Sequence, residues 1–123
     1  MPSDPLGILL ISGGHERAHY AFVVAAGAAA IGRAVIVFAT NEGGRALCAD
    51  ISAFAAADAL ATTRGVAGLF ELRSACAELG VRMIACDAGL RLADITEDLA
   101  DFVEVAGVVT FLEATRGGQV LTF

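Results

Sequence analysis

At 123 residues the chain has the length of a single domain, with enough residues for one core. Eight basic residues stand against fourteen acidic ones, a net charge of −6 with no basic run, so nucleic acid is excluded as a partner. The 57% hydrophobic share contains no membrane span, because the longest apolar stretch, Ala21 to Ile31, is too short and is broken by Gly27. Met1-Pro2-Ser3-Asp4-Pro5 has no basic residue ahead of the first apolar run, so no signal peptide is expected and the location implied is cytoplasmic. The apolar surplus exceeds what a small core hides, which points to cover by other subunits and hence a homo-oligomer. Cys48, Cys76 and Cys86 are widely spaced, without CxxC, and read as neither a disulfide framework nor a structural zinc site.

The elements follow in order. Leu6 to Ile11 is a near-continuous apolar run, the first strand, and Ser12-Gly13-Gly14-His15 is a small-residue turn. A helix from about Glu16 to Ile31 is apolar on nearly every face, and burial between the sheet and a neighbouring subunit accounts for Phe22, Val23, Val24, Ala25 and Ala26 together. Gly32 ends it and Ala34 to Ala39 is the second strand. After the turn Thr40-Asn41-Glu42-Gly43-Gly44, an alanine-rich helix is expected from about Arg45 to Ala61, with Leu47, Ile51 and Phe54 at helical spacing. Thr62 to Gly65 breaks it, and a further helix runs to about Leu79 with Leu69, Leu72, Cys76 and Leu79 on one face. Gly80 precedes the third strand, Val81 to Ala85. A short helix, the loop Asp94 to Asp98, a strand Val103 to Ala106, a helix Val108 to Thr115 and a closing strand Gln119 to Phe123 complete the chain. There are no repeats and no low-complexity linker. Such alternation predicts one doubly wound, mostly parallel sheet with helices on both faces, a single domain over residues 1–123.

In such sheets ligands gather at the carboxyl edge of the strands. Cys86 lies there, where the third strand stops, and Asp87 offers an N-cap-type side chain to the helix that follows. Peptide N–H groups at a helix start favour a thiolate, so a cysteine there can be more acidic than the free value of about 8.5. The alternative is a small buried hydrophobe. Cys76 is expected on the core face of its helix and is a second thiol of interest, while Cys48 reads as a packing residue. Ser12, Gly13 and Gly14 could cradle a small anion through backbone N–H groups, but the turn matches neither GxGxxG nor GxxxxGK[ST]. His15 and Asn41 open at the same edge, with Glu42 beside them. His15 and His19 are four apart without a third ligand, so no metal is assigned, nor any cofactor.

The order of the pieces resembles the DsrE/DsrF-like family of small sulfur-carrier and sulfurtransferase-related proteins. Three stretches carry the resemblance: Ile8-Leu9-Leu10-Ile11-Ser12-Gly13-Gly14 with Ala18-His19-Tyr20-Ala21-Phe22; Glu78-Leu79-Gly80-Val81-Arg82-Met83-Ile84-Ala85-Cys86; and Glu104 to Leu112 with the closing Val120-Leu121-Thr122-Phe123. It implies a three-layer α/β/α domain with a five-stranded sheet, a homo-oligomer such as a trimer or hexamer, and sulfur donor and acceptor proteins as partners. It also implies that Cys86 matches the cysteine that carries a persulfide. Where many relatives have a Ser-Met pair and then Met-Gly, this chain has Gly89-Leu90 and Ala93-Asp94, which changes the pocket beside Cys86. The expected function is a sulfur carrier or sulfurtransferase-like protein. The alternative is a non-catalytic oligomeric module that binds a small anionic ligand or nucleotide at the carboxyl edge, through Ser12, Gly13, Gly14, His15, Asn41 and Asp87.

Overall fold

Five short runs become strands: β1 Leu6–Leu10, β2 Val35–Ala39, β3 Arg82–Cys86, β4 Val103–Ala106 and β5 Gln119–Thr122. The structure is a computed structural model and describes residues 4–123; positions 1–3, part of the segment read for a signal peptide, lie outside the described residues. The strands pair in the order β4-β3-β2-β1-β5, and every pairing is parallel. Parallel neighbours require crossovers, which contain the helices α1 His15–Ala30, α2 Ala55–Thr63, α3 Leu69–Glu78, α4 Asp87–Leu92 and α5 Val108–Ala114.

Strand alternation divides the core into two layers. Ile8, Leu10, Val35, Val37, Met83 and Ala85 pack with Ala18, Phe22 and Ala25 of α1 and with Leu69 and Cys76 of α3. The opposite face holds Ile36, Phe38, Ile84 and Cys86 under Phe111 of α5, whose ring stacks on Phe38 at 5.0 Å between centroids. The second cover for α1, expected from a neighbouring subunit, comes from α3 of the same chain. Tyr20 and Ile31 stay exposed. No helix among the described residues is long and apolar enough to cross a membrane.

The expected helix from Arg45 to Ala61 does not form as one piece. A 3-10 segment occupies Asn41–Leu47, a second 3-10 turn Ser52–Phe54, and α2 starts only at Ala55. The backbone groups between them bond elsewhere. Arg73 Nη1 donates to the carbonyls of Ala46 at 2.9 Å and Cys48 at 2.6 Å. Ala49 N–H donates to the carbonyl of Asp98, and Ala100 N–H to that of Leu47. Asp50 Oδ1 accepts the Ser52 N–H at 2.9 Å. Carbonyls held by a distant arginine and a distant strand-like segment are lost to the i→i+4 ladder, and the helix breaks.

Leu79 also departs from the expected buried face. It closes α3 and is half exposed, just before Gly80 turns the chain with φ +81°.

Candidate thiol site at the carboxyl edge of the sheet

Cys86 is the last residue of β3, paired in register with Ala106 of β4, and it is itself the N-cap of α4. Its Sγ accepts the Gly89 N–H at 3.4 Å. This corrects the expectation that Asp87 supplies the cap: Asp87 is the first helical residue, is exposed, and pairs with Arg91 at 3.2 Å. The physical reason is the early helix start, which leaves the strand's last residue in extended geometry (φ −71°, ψ 120°) and brings its side chain back to the N–H three residues on.

Gly89 makes this geometry feasible. A Cβ there would lie 2.3 Å from Thr40 Oγ1 and 2.5 Å from the Asn41 backbone nitrogen, so α4 can seat against the β2 turn only without a side chain at this position. The thiol is 9% exposed, at the rim of the thin core layer. The end of α4 and the β4–α5 segment carry exposed apolar side chains: Leu92, Val105, Val108, Val109 and Leu112 are each at least half exposed.

The other expected residues assemble elsewhere. Asn41 adopts φ +54°, a left-handed conformation that asparagine tolerates, and its Oδ1 accepts from Thr40 Oγ1. Ser12 Oγ accepts the Gly14 N–H at 3.2 Å, and Glu42 packs directly on Gly13, so a carboxylate-bearing residue sits against the turn considered for an anion. His15 Nε2 lies 2.5 Å from Asp58 Oδ1 and its ring stacks on His19 at 5.4 Å, while His19 Nε2 donates to the Ala67 carbonyl.

His15 and Gly13 line a cavity of about 320 Å³ together with Arg45, Cys48, Ile51 and Phe54. Ile51 and Phe54 belong to the thick layer, whereas Cys86 belongs to the thin one. All three cysteines are free thiols. Cys76 is fully buried in the thick layer, donates to the Phe22 carbonyl at 3.8 Å, and is pushed up to about 11 by burial.

Two residues of this region, Asp58 and Arg73, escaped the sequence reading, and a third, Cys48, was read only as a packing residue. Asp58 of α2 accepts the N–H groups of Leu69 and Phe70, capping α3 from another helix while it holds His15. Burial works to raise its carboxyl, but the hydrogen bonds from His15, Leu69 and Phe70 outweigh that and hold it below the usual value. No local signal marks a cap donated across eleven residues. Cys48 lines the cavity, with its thiol pushed up first by burial and then by Glu97, against the pull of Arg45 and Arg73. Arg73 is 3% exposed, sandwiched by Phe70 and Phe102, and its Nε has no hydrogen-bond partner. It was legible in principle, since it stands four residues after Leu69 and three before Cys76, on the buried face of α3.

The sequence model of the DsrE/DsrF/DrsH-like family matches residues 44–123, about two thirds of the chain. The chain belongs to that family. Solved structures agree on the fold. The YchN protein of E. coli superposes with a TM-score of 0.74 at 14% identity, covering 98% of this chain and 100% of that one. MTH1491 of Methanobacterium thermoautotrophicum, described as of unknown function, gives 0.61 at 17% identity, covering 98% of this chain and 100% of its own. No curated protein matches the sequence. Family membership makes a sulfur-relay related function the coarse assignment, on a DsrE-like sheet whose carboxyl edge carries Cys86.

Proposed function

We propose that this DsrE-like protein is a cytoplasmic sulfur carrier or sulfurtransferase-like protein that holds a persulfide on Cys86. The observation that carries this reading is the position of Cys86: it is the cysteine that ends a strand at the carboxyl edge, with Sγ accepting a helix-start N–H. Cys76 is fully buried with its thiol held protonated, and Cys48 is 4% exposed.

In the first step the Cys86 thiolate attacks the terminal sulfur of a donor persulfide, R–S–SH. The donor S–S bond breaks, R–S⁻ leaves with the bonding pair, and Cys86–S–S⁻ remains after proton exchange with water. In the second step an acceptor thiolate attacks that terminal sulfur and Cys86 leaves as thiolate. One S–S bond forms and one breaks in each step, so no external oxidant or reductant is consumed. A cytoplasmic setting suits the proposal because it keeps donor and acceptor thiols reduced.

We also propose a homo-oligomer, a trimer or hexamer as in the family, with donor and acceptor proteins as transient partners. The exposed Leu92, Val105, Val109 and Leu112 on α4, β4 and α5 support this. Intact-mass spectrometry after incubation with polysulfide tests the carrier reading: a gain of one sulfur that maps to Cys86 and is absent from Cys86→Ser is expected. Sulfur uptake by Cys86→Ser at the normal rate would overturn it. Light scattering tests the assembly, and a stable monomer at micromolar concentration would remove it.

A further inference from the structure

The outer face of α1 serves neither the core nor the thiol site. Between Arg17 and Arg33 the chain runs for fifteen residues without an Asp, Glu, Lys or Arg, although its net charge is −6. Ala18, Ala21, Phe22 and Ala25 turn into the thick core layer. Tyr20, Val24, Gly27 and Ile31 recur at spacings of four, three and four, so they line one face of the helix. On that face Tyr20 is 57% and Ile31 78% exposed, Gly27 is exposed and Val24 half-buried. A Cβ at Gly27 would meet nothing within 4 Å, so no contact inside the chain calls for glycine there. Glycine is among the poorest helix formers, and in mid-helix it suits the close approach of a second backbone.

The charges at the two ends of this face say what covers it. Arg45, Arg82, Arg91 and Arg116 each pair with a carboxylate of their own chain. Among the described residues Glu16, Arg17 and Arg33 have no such partner. Glu16 and Arg17 lie in the first turn of α1, and Arg33 lies just beyond its last. An antiparallel pair of α1 helices sets Tyr20 against Ile31 of a second copy, and Gly27 against its Val24. It also brings Glu16 to the end where the second copy carries Arg33, and Arg17 to the carbonyl end of the second helix. A parallel pair would instead set each arginine on itself. With one negative and two positive residues here, the chain's negative charge resides on other surfaces, and two copies meet at this face without that repulsion.

We propose that the outer face of α1 is a two-fold contact between copies of this chain, antiparallel, with Gly27 at the closest approach. It is separate from the exposed apolar side chains of α4, β4 and α5, and it does not depend on sulfur transfer. A closed two-fold contact makes the assembly even-numbered: a dimer, or a hexamer where a three-fold contact lies elsewhere.

The test is sedimentation equilibrium of the reduced full chain and its variants, with far-UV circular dichroism to confirm the fold. The parent should sediment as an even number of copies, and Tyr20→Glu with Ile31→Glu should halve its mass. Gly27→Leu should halve it too, since the added side chain has open space in the single chain. Glu16→Arg or Arg33→Glu alone should weaken this contact about threefold or more, the scale of losing exposed ion pairs. The two reversals together should restore it. Because α1 is about 24 Å long, that restoration can arise only between copies. A monomeric or odd-numbered parent would overturn the proposal, as would an unchanged mass in the Tyr20 and Ile31 variant or a double reversal that restores nothing. If α1 variants keep the parent mass while Val109→Glu with Leu112→Glu releases monomers, this contact is wrong and a homo-oligomer through α5 stands.

Discussion

The two faces of the sheet differ in depth. On one, strand residues meet two helices, α1 and α3, and a continuous core runs from Leu6 through Phe22 and Leu69 to Met83. On the other, Ile36, Phe38, Ile84 and Cys86 are roofed essentially by one ring, Phe111, of a seven-residue helix. The thick face contributes most of the buried apolar area and hence most of the stability. The thin face leaves Cys86 9% exposed at the end of its strand. Reactive chemistry needs access and stability needs depth, and this sheet separates the two by the period-two alternation of its strands.

The largest effect should come from the thick face. Phe22→Ala removes a fully buried ring and should cost about 3–5 kcal/mol in urea unfolding. A loss below about 1 kcal/mol would mean the layers are not unequal in the way described.

Phe111→Ala should cost about 3 kcal/mol, and its diagnostic is chemical. Unroofing the thin layer should speed alkylation of Cys86 by iodoacetamide while leaving Cys76 inert on the opposite face. In the unmodified protein Cys86, at 9% exposed, should already label faster than Cys48 at 4% and Cys76 at 0%. Equal labelling of Cys76 and Cys86 would break the comparison.

Gly89→Ala tests the seat of the thiol. Its Cβ would meet backbone and Oγ1 of the β2 turn, so α4 must shift, at a cost of about 1–3 kcal/mol. Sulfur uptake by Cys86 should fall with it, because the Gly89 N–H moves from Sγ.

Asp58→Asn should be the smallest, about 1 kcal/mol for a weakened cap on α3. Its pH signature has a definite sign. The carboxyl of Asp58 is lower in the folded chain than its ordinary value, so the stabilisation is present in full above that ordinary value and is lost as pH falls through the depressed one. Urea unfolding across the acid range should show this portion of the pH dependence in the parent protein and not in the variant.

Much of the fold was legible because it rests on short-range physics. Apolar runs of strand length, the glycines at Gly32 and Gly80, and enough chain between runs for a crossover were sufficient for a parallel α/β sheet. The same signals put Cys86 at a strand end before a helix, and that is where it lies. Tertiary structure decided what local pattern cannot hold. Arg73 and the 98–100 segment took the backbone partners that would have continued a helix past Leu47, although the spacing of Leu47, Ile51 and Phe54 favours one. Asp58 became the cap of a helix it does not belong to, and in doing so oriented His15. The side of the sheet on which each turn opens separated His15 from Cys86, though both stand at the same edge. Hydrophobic periodicity is a property of neighbours along the chain and survives in the sequence. A hydrogen bond between residues tens of positions apart depends on where two elements come to rest, and that is determined only when the whole core has packed.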